Sequence, residues 1–111
     1  MDEKQLRCLV AIQDIDNMIQ EREKERQLGF DVEGLDKLQE MRKEIADTLN
    51  PGLLRTYERL RQRYQRAVVP VKDGTCLGCF VKLPTSVSSK GKDNVGVFRC
   101  ENCGRILYWL D

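Results

Sequence analysis

From Asp2 to about Gln27 the chain has no proline or glycine, and Cys8, Ile12, Ile15 and Ile19 recur at spacings of four, three and four. Such spacing lays one apolar stripe along a helix, predicted over about residues 2–27. The same stripe continues through Arg22 and Arg26, so packing is expected to weaken toward the helix end, where EREKER reads as a salt-bridged solvent face. Leu6, Leu9 and Val10 lie off the stripe. Apolar residues on two sides of the first turns imply more than one neighbour there: a third helix, the C-terminal module or a second chain.

Gly29 and Gly34 bracket the connector LGFDVEG, after which Leu35, Leu38, Met41, Ile45 and Leu49 resume helical spacing over 35–49. A connector this short favours an antiparallel helix pair. Asn50-Pro51 reads as an N-cap followed by proline at the first helical position. It opens a third helix or sharply kinks the second; the third helix is predicted over 51–68, with an apolar stripe of Leu53, Tyr57, Leu60, Tyr64 and Ala67 or Val68. Arg55, Arg59, Gln62 and Arg66 fall on its opposite, basic side. Tyr57 and Tyr64 are read as packing residues before a stacking platform. Val68-Val69-Pro70-Val71 is too β-branched to prolong a helix and contains a proline, which puts the boundary between a helical region, 1–69, and a second region, 70–111. Within the latter, Val95–Arg99 and Ile106–Leu110 have the content of a strand pair, and the polar SVSSKGKDN at 86–94 is expected to be a mobile loop.

Composition narrows the function classes. With 6% aromatic and 33% charged residues, 111 residues suit solvated helices better than a deep-pocket enzyme. Net charge is +1 but unevenly spread: residues 1–50 hold eight Lys/Arg against thirteen Asp/Glu, and residues 51–111 hold eleven against five. The C-terminal half is therefore the side expected to meet an anionic surface. Neither an export signal nor a membrane span is read in the sequence, so a cytoplasmic, reducing setting is expected.

In that setting, C-x2-C-x20-C-x2-C at Cys76, Cys79, Cys100 and Cys103 points to metal. Two intervening residues let both sulfurs of a pair converge from one tight turn, where backbone amides can bond the thiolates. Gly78 and Gly104 are expected to supply positive φ in those turns. Four thiolates complete a tetrahedral zinc and leave no open position, so the expectation is one structural Zn2+ per chain that the second region needs in order to fold. Rubredoxin-like iron and dithiol redox chemistry are the alternatives. The chain has no histidine. With no P-loop or dinucleotide signature either, it reads as a non-enzyme. Cys8, on the first stripe, reads as a small core residue.

The fold class is thus mostly α with a small β zinc ribbon: a helical hairpin or three-helix coiled-coil region followed by a C-terminal four-cysteine ribbon. LLRTYERLRQRYQRAVVPVKDGTCLGC, LP at 83–84 and CENCGRILYW carry a family likeness. They resemble the bacterial C4-type zinc-ribbon proteins that join an N-terminal coiled-coil hairpin to such a ribbon. Tyr57, Glu58, Arg59 and Cys103 through Tyr108 match that pattern, while Thr85 and Glu101 stand where proline is common and the helical region is shorter. The resemblance implies an adaptor or chaperone, linked to flagellar and type III secretion assembly and in some members to RNA.

The leading expectation is a protein-binding adaptor, with self-association left open and Trp109 and Leu110 as a docking patch on the ribbon. The alternative is a nucleic-acid module or RNA polymerase regulator whose contacts would be Arg55, Arg59, Arg63, Arg66, Lys72, Lys82, Lys90, Lys92 and Arg105.

Overall fold

The computed structural model describes residues 2–92 and 96–110. Helix α1 runs Glu3–Gln27, and the Asp2 carboxylate accepts from Lys4 N at 2.9 Å to cap it. The chain reverses through Gly29 and Gly34, at φ of +93° and +82°, into α2, Leu35–Thr48. The pair is antiparallel. Gln5 near the start of α1 donates to Thr48 O at 3.2 Å, while Arg42, earlier in α2, reaches Asp16 at 2.6 Å. Asn50 caps α3 as expected, accepting from Gly52 N at 2.9 Å, with Pro51 in the first turn.

Helix α3 covers Pro51–Arg61 and stops well short of the expected residue 68. Residues 62–67 have no helix-breaking composition, so local propensity gives no reason to stop; what takes over is the sheet. Strand β1, Val68–Lys72, runs parallel to β4, Ile106–Trp109, with Val68 opposite Ile106 and Val71 opposite Trp109. The chain must leave the helix early to enter that pairing. Strand β2, Thr75–Cys76, and β3, Phe98–Arg99, complete the order β2-β1-β4-β3. The expected β3–β4 pairing is present, antiparallel with Phe98 opposite Leu107, though shorter than the sequence suggests, and Val95 lies outside the described residues. The segment expected to be a mobile loop instead begins as helix α4, Thr85–Lys92; Asp93 and Asn94 lie outside the described residues.

Buried contacts cross the 69/70 division. One buried cluster joins Leu9 and Ile12 of α1, Leu49, and Tyr57 and Leu60 of α3 to Val68 and Ile106 of the sheet. Leu9 is fully buried there, and Leu6, Val10 and Cys8 pack against it, so the off-stripe residues of α1 do have a second neighbour. A smaller cluster under the metal site gathers Val69, Val71, Leu83 and Leu107 with Cys76 and Cys100. Burial along α1 fades after Ile15, and Arg22 meets Glu25 at 3.7 Å on the surface, as the polar run implies. Met41, placed on the apolar stripe of α2, is exposed, and α2 buries no residue completely.

A buried glutamine, invisible to an apolar-stripe reading, ties α1 to the sheet. Along β1, Ala67 O and Val71 O accept from Ile106 N and Leu110 N, so alternate backbone groups face β4. The remaining groups face β2, which reaches only Val71 and Lys72. Gln13, 3% exposed, fills the gap: its Oε1 accepts from Ala67 N at 2.7 Å and Val68 N at 2.8 Å, and its Nε2 donates to Val68 O at 3.0 Å. It acts as a one-residue extension of the missing strand. The same alternation explains why Pro70 is tolerated inside a central strand. Its carbonyl accepts from Leu77 N, so its missing N–H faces the β2 side, just beyond the two residues that β2 pairs. Replacing Gln13 with Leu leaves two buried donors and one acceptor unpaired; a loss of about 2–4 kcal/mol in urea unfolding is expected, and a loss below about 0.5 kcal/mol would contradict this role.

Candidate metal centre

Each cysteine pair sits on a tight turn at a strand end. Cys76 closes β2, and Phe80 N donates back to Cys76 O at 2.7 Å; Cys100 follows β3, and Gly104 N donates to Cys100 O at 2.8 Å. The two turns are the same device used twice. The residue after the second cysteine of each takes left-handed backbone, Gly104 at φ +80° and Phe80 at φ +63°. Gly104 fits the expectation for positive φ, but Gly78 does not, because its φ is ordinary. Gly78 is needed for space: a Cβ there would lie 3.0 Å from Arg105 Cδ and 3.1 Å from Val69 Cγ2. A non-glycine residue in left-handed backbone costs about 1–2 kcal/mol, and Phe80 also leaves its ring 73% exposed.

The turns bring the four sulfurs within 4.8 Å of one another. Cys76 Sγ lies 3.9 Å from Cys103 Sγ, and Cys79 Sγ lies 3.6 Å from Cys100 Sγ. A tetrahedron with zinc–sulfur bonds of about 2.3 Å has an edge of about 3.8 Å, so the cradle fits that ion. The amides of Gly78 and Cys79 bond Cys76, that of Val81 bonds Cys79, and that of Arg105 bonds Cys103. Without metal the thiols diverge. Burial pushes Cys76 up and drives Cys103 to about 12, whereas the Asn102 side chain draws Cys79 down to about 6. Nothing in the sequence marks Asn102 for this part except its place between Cys100 and Cys103.

Four sulfurs at tetrahedral spacing on paired knuckles decide the domain type. Residues 75–107 match the family model of the C4-type zinc ribbon domain. The ribbon and its hairpin together are similar to two solved bacterial structures. CT398 from Chlamydia trachomatis is 32% identical at a TM-score of 0.66, covering 79% of this chain and 36% of that one. The HP0958 protein from Helicobacter pylori is 25% identical at 0.65, covering 70% of this chain and 33% of its own. The present chain thus spans about a third of the length of either. No curated protein matches it.

The remaining candidate residues scatter around the ribbon. Arg55 and Arg59 are exposed on α3, but Arg63 and Arg66 lie beyond its end, so the four do not form one helical face. Lys72 and Lys82 are exposed, and the side chains of Lys90 and Lys92 lie outside the described residues. Arg105 is half-buried, its guanidinium 3.9 Å over the Tyr64 ring, with Arg63 at 5.6 Å from the same ring. Tyr64 in turn donates to Cys103 O at 2.8 Å, which anchors the exit from α3 to the second knuckle. Tyr57 is a packing residue, fully buried, with its hydroxyl on Asp16 at 2.7 Å. Trp109 meets Phe98 edge-on at 5.7 Å, while Leu110 is 59% exposed.

Zinc binds thiolates, so any sulfur that keeps its proton at a given pH opposes binding, and affinity should fall as pH falls. A free cysteine thiol, with a pKa of about 8.5, keeps its proton at pH 7, so zinc must displace protons as it binds. Calorimetric titration of the stripped protein in buffers of different ionisation enthalpy is expected to show about two or more protons released per zinc, at one zinc per chain. Proton-neutral binding, or a stoichiometry of one metal per two chains, would contradict the site.

Proposed function

We propose that the chain is a non-enzymatic adaptor in which the zinc ribbon presents a docking surface for another protein beside the helical hairpin. The observation that carries this reading is the ribbon's own surface. Val97 and Leu110, 49% and 59% exposed, flank the packed Phe98–Trp109 pair on a metal-held sheet. Leaving such side chains in water forfeits about 1.5–3 kcal/mol each, which a partner would recover. The metal favours the same reading, because four protein sulfurs leave zinc no position for a substrate or an activated water. Its role is to hold the surface rigid, which lowers the entropy cost of docking. No helix is long and apolar enough among the described residues to cross a membrane, so a membrane-spanning helix is no part of the proposal. Bacterial flagellar or type III secretion assembly is the setting proposed with it, on the family resemblance alone.

A second reading, nucleic-acid binding, has one specific observation in its favour. The ion pairs among the described residues all fall between Glu3 and Glu58, and none uses Arg55, Arg59, Arg63, Arg66, Lys72, Lys82 or Arg105. Cations left without carboxylates are available to phosphates.

Two variants separate the readings. Leu110→Asp adds charge to the ribbon edge without touching a cysteine, and it is expected to abolish capture of a protein partner from the native host while zinc content stays unchanged. Changing Arg55, Arg59 and Arg66 together to Gln should leave that capture intact. Under the second reading the triple change would instead flatten the log–log salt dependence of RNA or DNA binding, by about 0.7–0.9 for each phosphate no longer neutralised. Tight, salt-sensitive nucleic-acid binding that survives Leu110→Asp would displace the adaptor reading.

A further inference from the structure

Charge is sorted to the two ends of this molecule, and so are six of the eight large apolar side chains exposed among the described residues. α1 meets the ribbon through Leu9 and Ile12, so its far end at Gln27 stands about 20 Å further along the helix at ~1.5 Å per residue. The whole molecule is 49 Å long. At the hairpin tip Leu28 is 76% and Phe30 65% exposed. Around them, residues 21–36 hold six acidic against three basic side chains, a net charge of −3. At the ribbon end the left-handed backbone of Phe80 turns its ring to solvent, beside exposed Val81. Residues 63–110 hold eight basic against three acidic side chains, a net charge of +5. Among the described residues the tip has the single ion pair Arg22–Glu25, and Arg63, Arg66, Lys72, Lys82, Arg99 and Arg105 take part in none.

We propose that a second copy of the chain covers both ends: two molecules lie antiparallel about a two-fold axis, each Leu28–Phe30 tip seated on the partner's Phe80–Val81 edge. Opposite charges steer the approach, and a near-neutral whole chain offers no long-range repulsion against it. Two-fold symmetry makes the tip-to-ribbon contact twice and closes the assembly, whereas a head-to-tail arrangement would leave an open end and grow. Met18 and Met41, exposed on the hairpin stem, are adaptable side chains for the flank between the two contacts. The inference does not rest on the adaptor reading, and it gives the Phe80–Val81 edge, apart from Val97 and Leu110, an occupant drawn from this chain itself.

Sedimentation velocity on the zinc-loaded full chain tests it. A dimer is expected at low salt, with a Kd that rises roughly tenfold when salt is raised from about 50 to about 500 mM. Leu28→Ser with Phe30→Ser, and separately Phe80→Ser, should each weaken the dimer by on the order of thirtyfold at unchanged zinc content. Mixing the two variants should restore part of the association, because the intact tip of one then meets the intact ribbon of the other. Should Phe80→Ser shed its zinc, Glu21→Lys with Glu33→Lys tests the same contact at the tip and should weaken the dimer in low salt only. A monomer at every concentration in low salt overturns the proposal, as does a dimer indifferent to Phe80→Ser in zinc-loaded protein, which would mean tip-to-tip pairing.

Discussion

Four sulfurs held within 4.8 Å repel one another as thiolates and have little reason to gather as thiols, so the geometry of this protein depends on the ion that joins them. Strands β2 and β3 are each two residues long, and two-residue strands do not hold a sheet together by hydrogen bonding. Their ends are fixed because Cys76 and Cys100 belong to a common metal site. Once they are fixed, β1 and β4 have a register to pair in, and the buried cluster under the knuckles can close. Zinc binding and ribbon folding are in this sense one event.

That event reaches the helices through a few specific contacts. Tyr64 bonds the carbonyl of a zinc ligand, Cys103, and lies under Arg105 from the same knuckle. Gln13 on α1 completes the hydrogen bonding of β1. Leu9, Ile12 and Tyr57 enclose Val68 and Ile106 in one core. On the far side, Asp16 accepts from Tyr57 at 2.7 Å and Arg42 at 2.6 Å, and Arg42 also reaches Glu58 at 3.2 Å, so α1, α2 and α3 are cross-linked by one polar network. The base of the hairpin is therefore built into the ribbon, while its outer half carries little buried surface. The base is packed, while the tip and part of the ribbon surface are exposed.

Much of this is legible in the sequence, and the parts that are not share a cause. Helical periodicity identifies α1 and α2, and Asn50-Pro51 marks the start of α3, because caps and stripes are local properties. The cysteine spacing marks the metal cradle for the same reason. The expected overrun of α3 to residue 68 arises because 62–67 are acceptable in a helix; only the pairing of Val68 with Ile106, thirty-eight residues away, ends it. Gln13 lies outside the apolar stripe, and its burial follows from a strand edge that local patterning cannot see. Positive φ is the wrong role for Gly78, since the close approach of Arg105 and Val69 that requires it is a tertiary fact. The basic face dissolves with the helix that was to carry it.

If the metal, the shared core and the Gln13 and Tyr64 contacts form one cooperative unit, the consequence should appear in α1, remote in sequence from every zinc ligand. Amide hydrogen exchange of zinc-loaded and chelator-stripped protein measures this directly. The account predicts that stripping zinc accelerates exchange in the ribbon and also in α1 from Leu9 to Ile15 and through α3. Loss of protection confined to residues 68–110, with α1 and α3 unchanged, would contradict it.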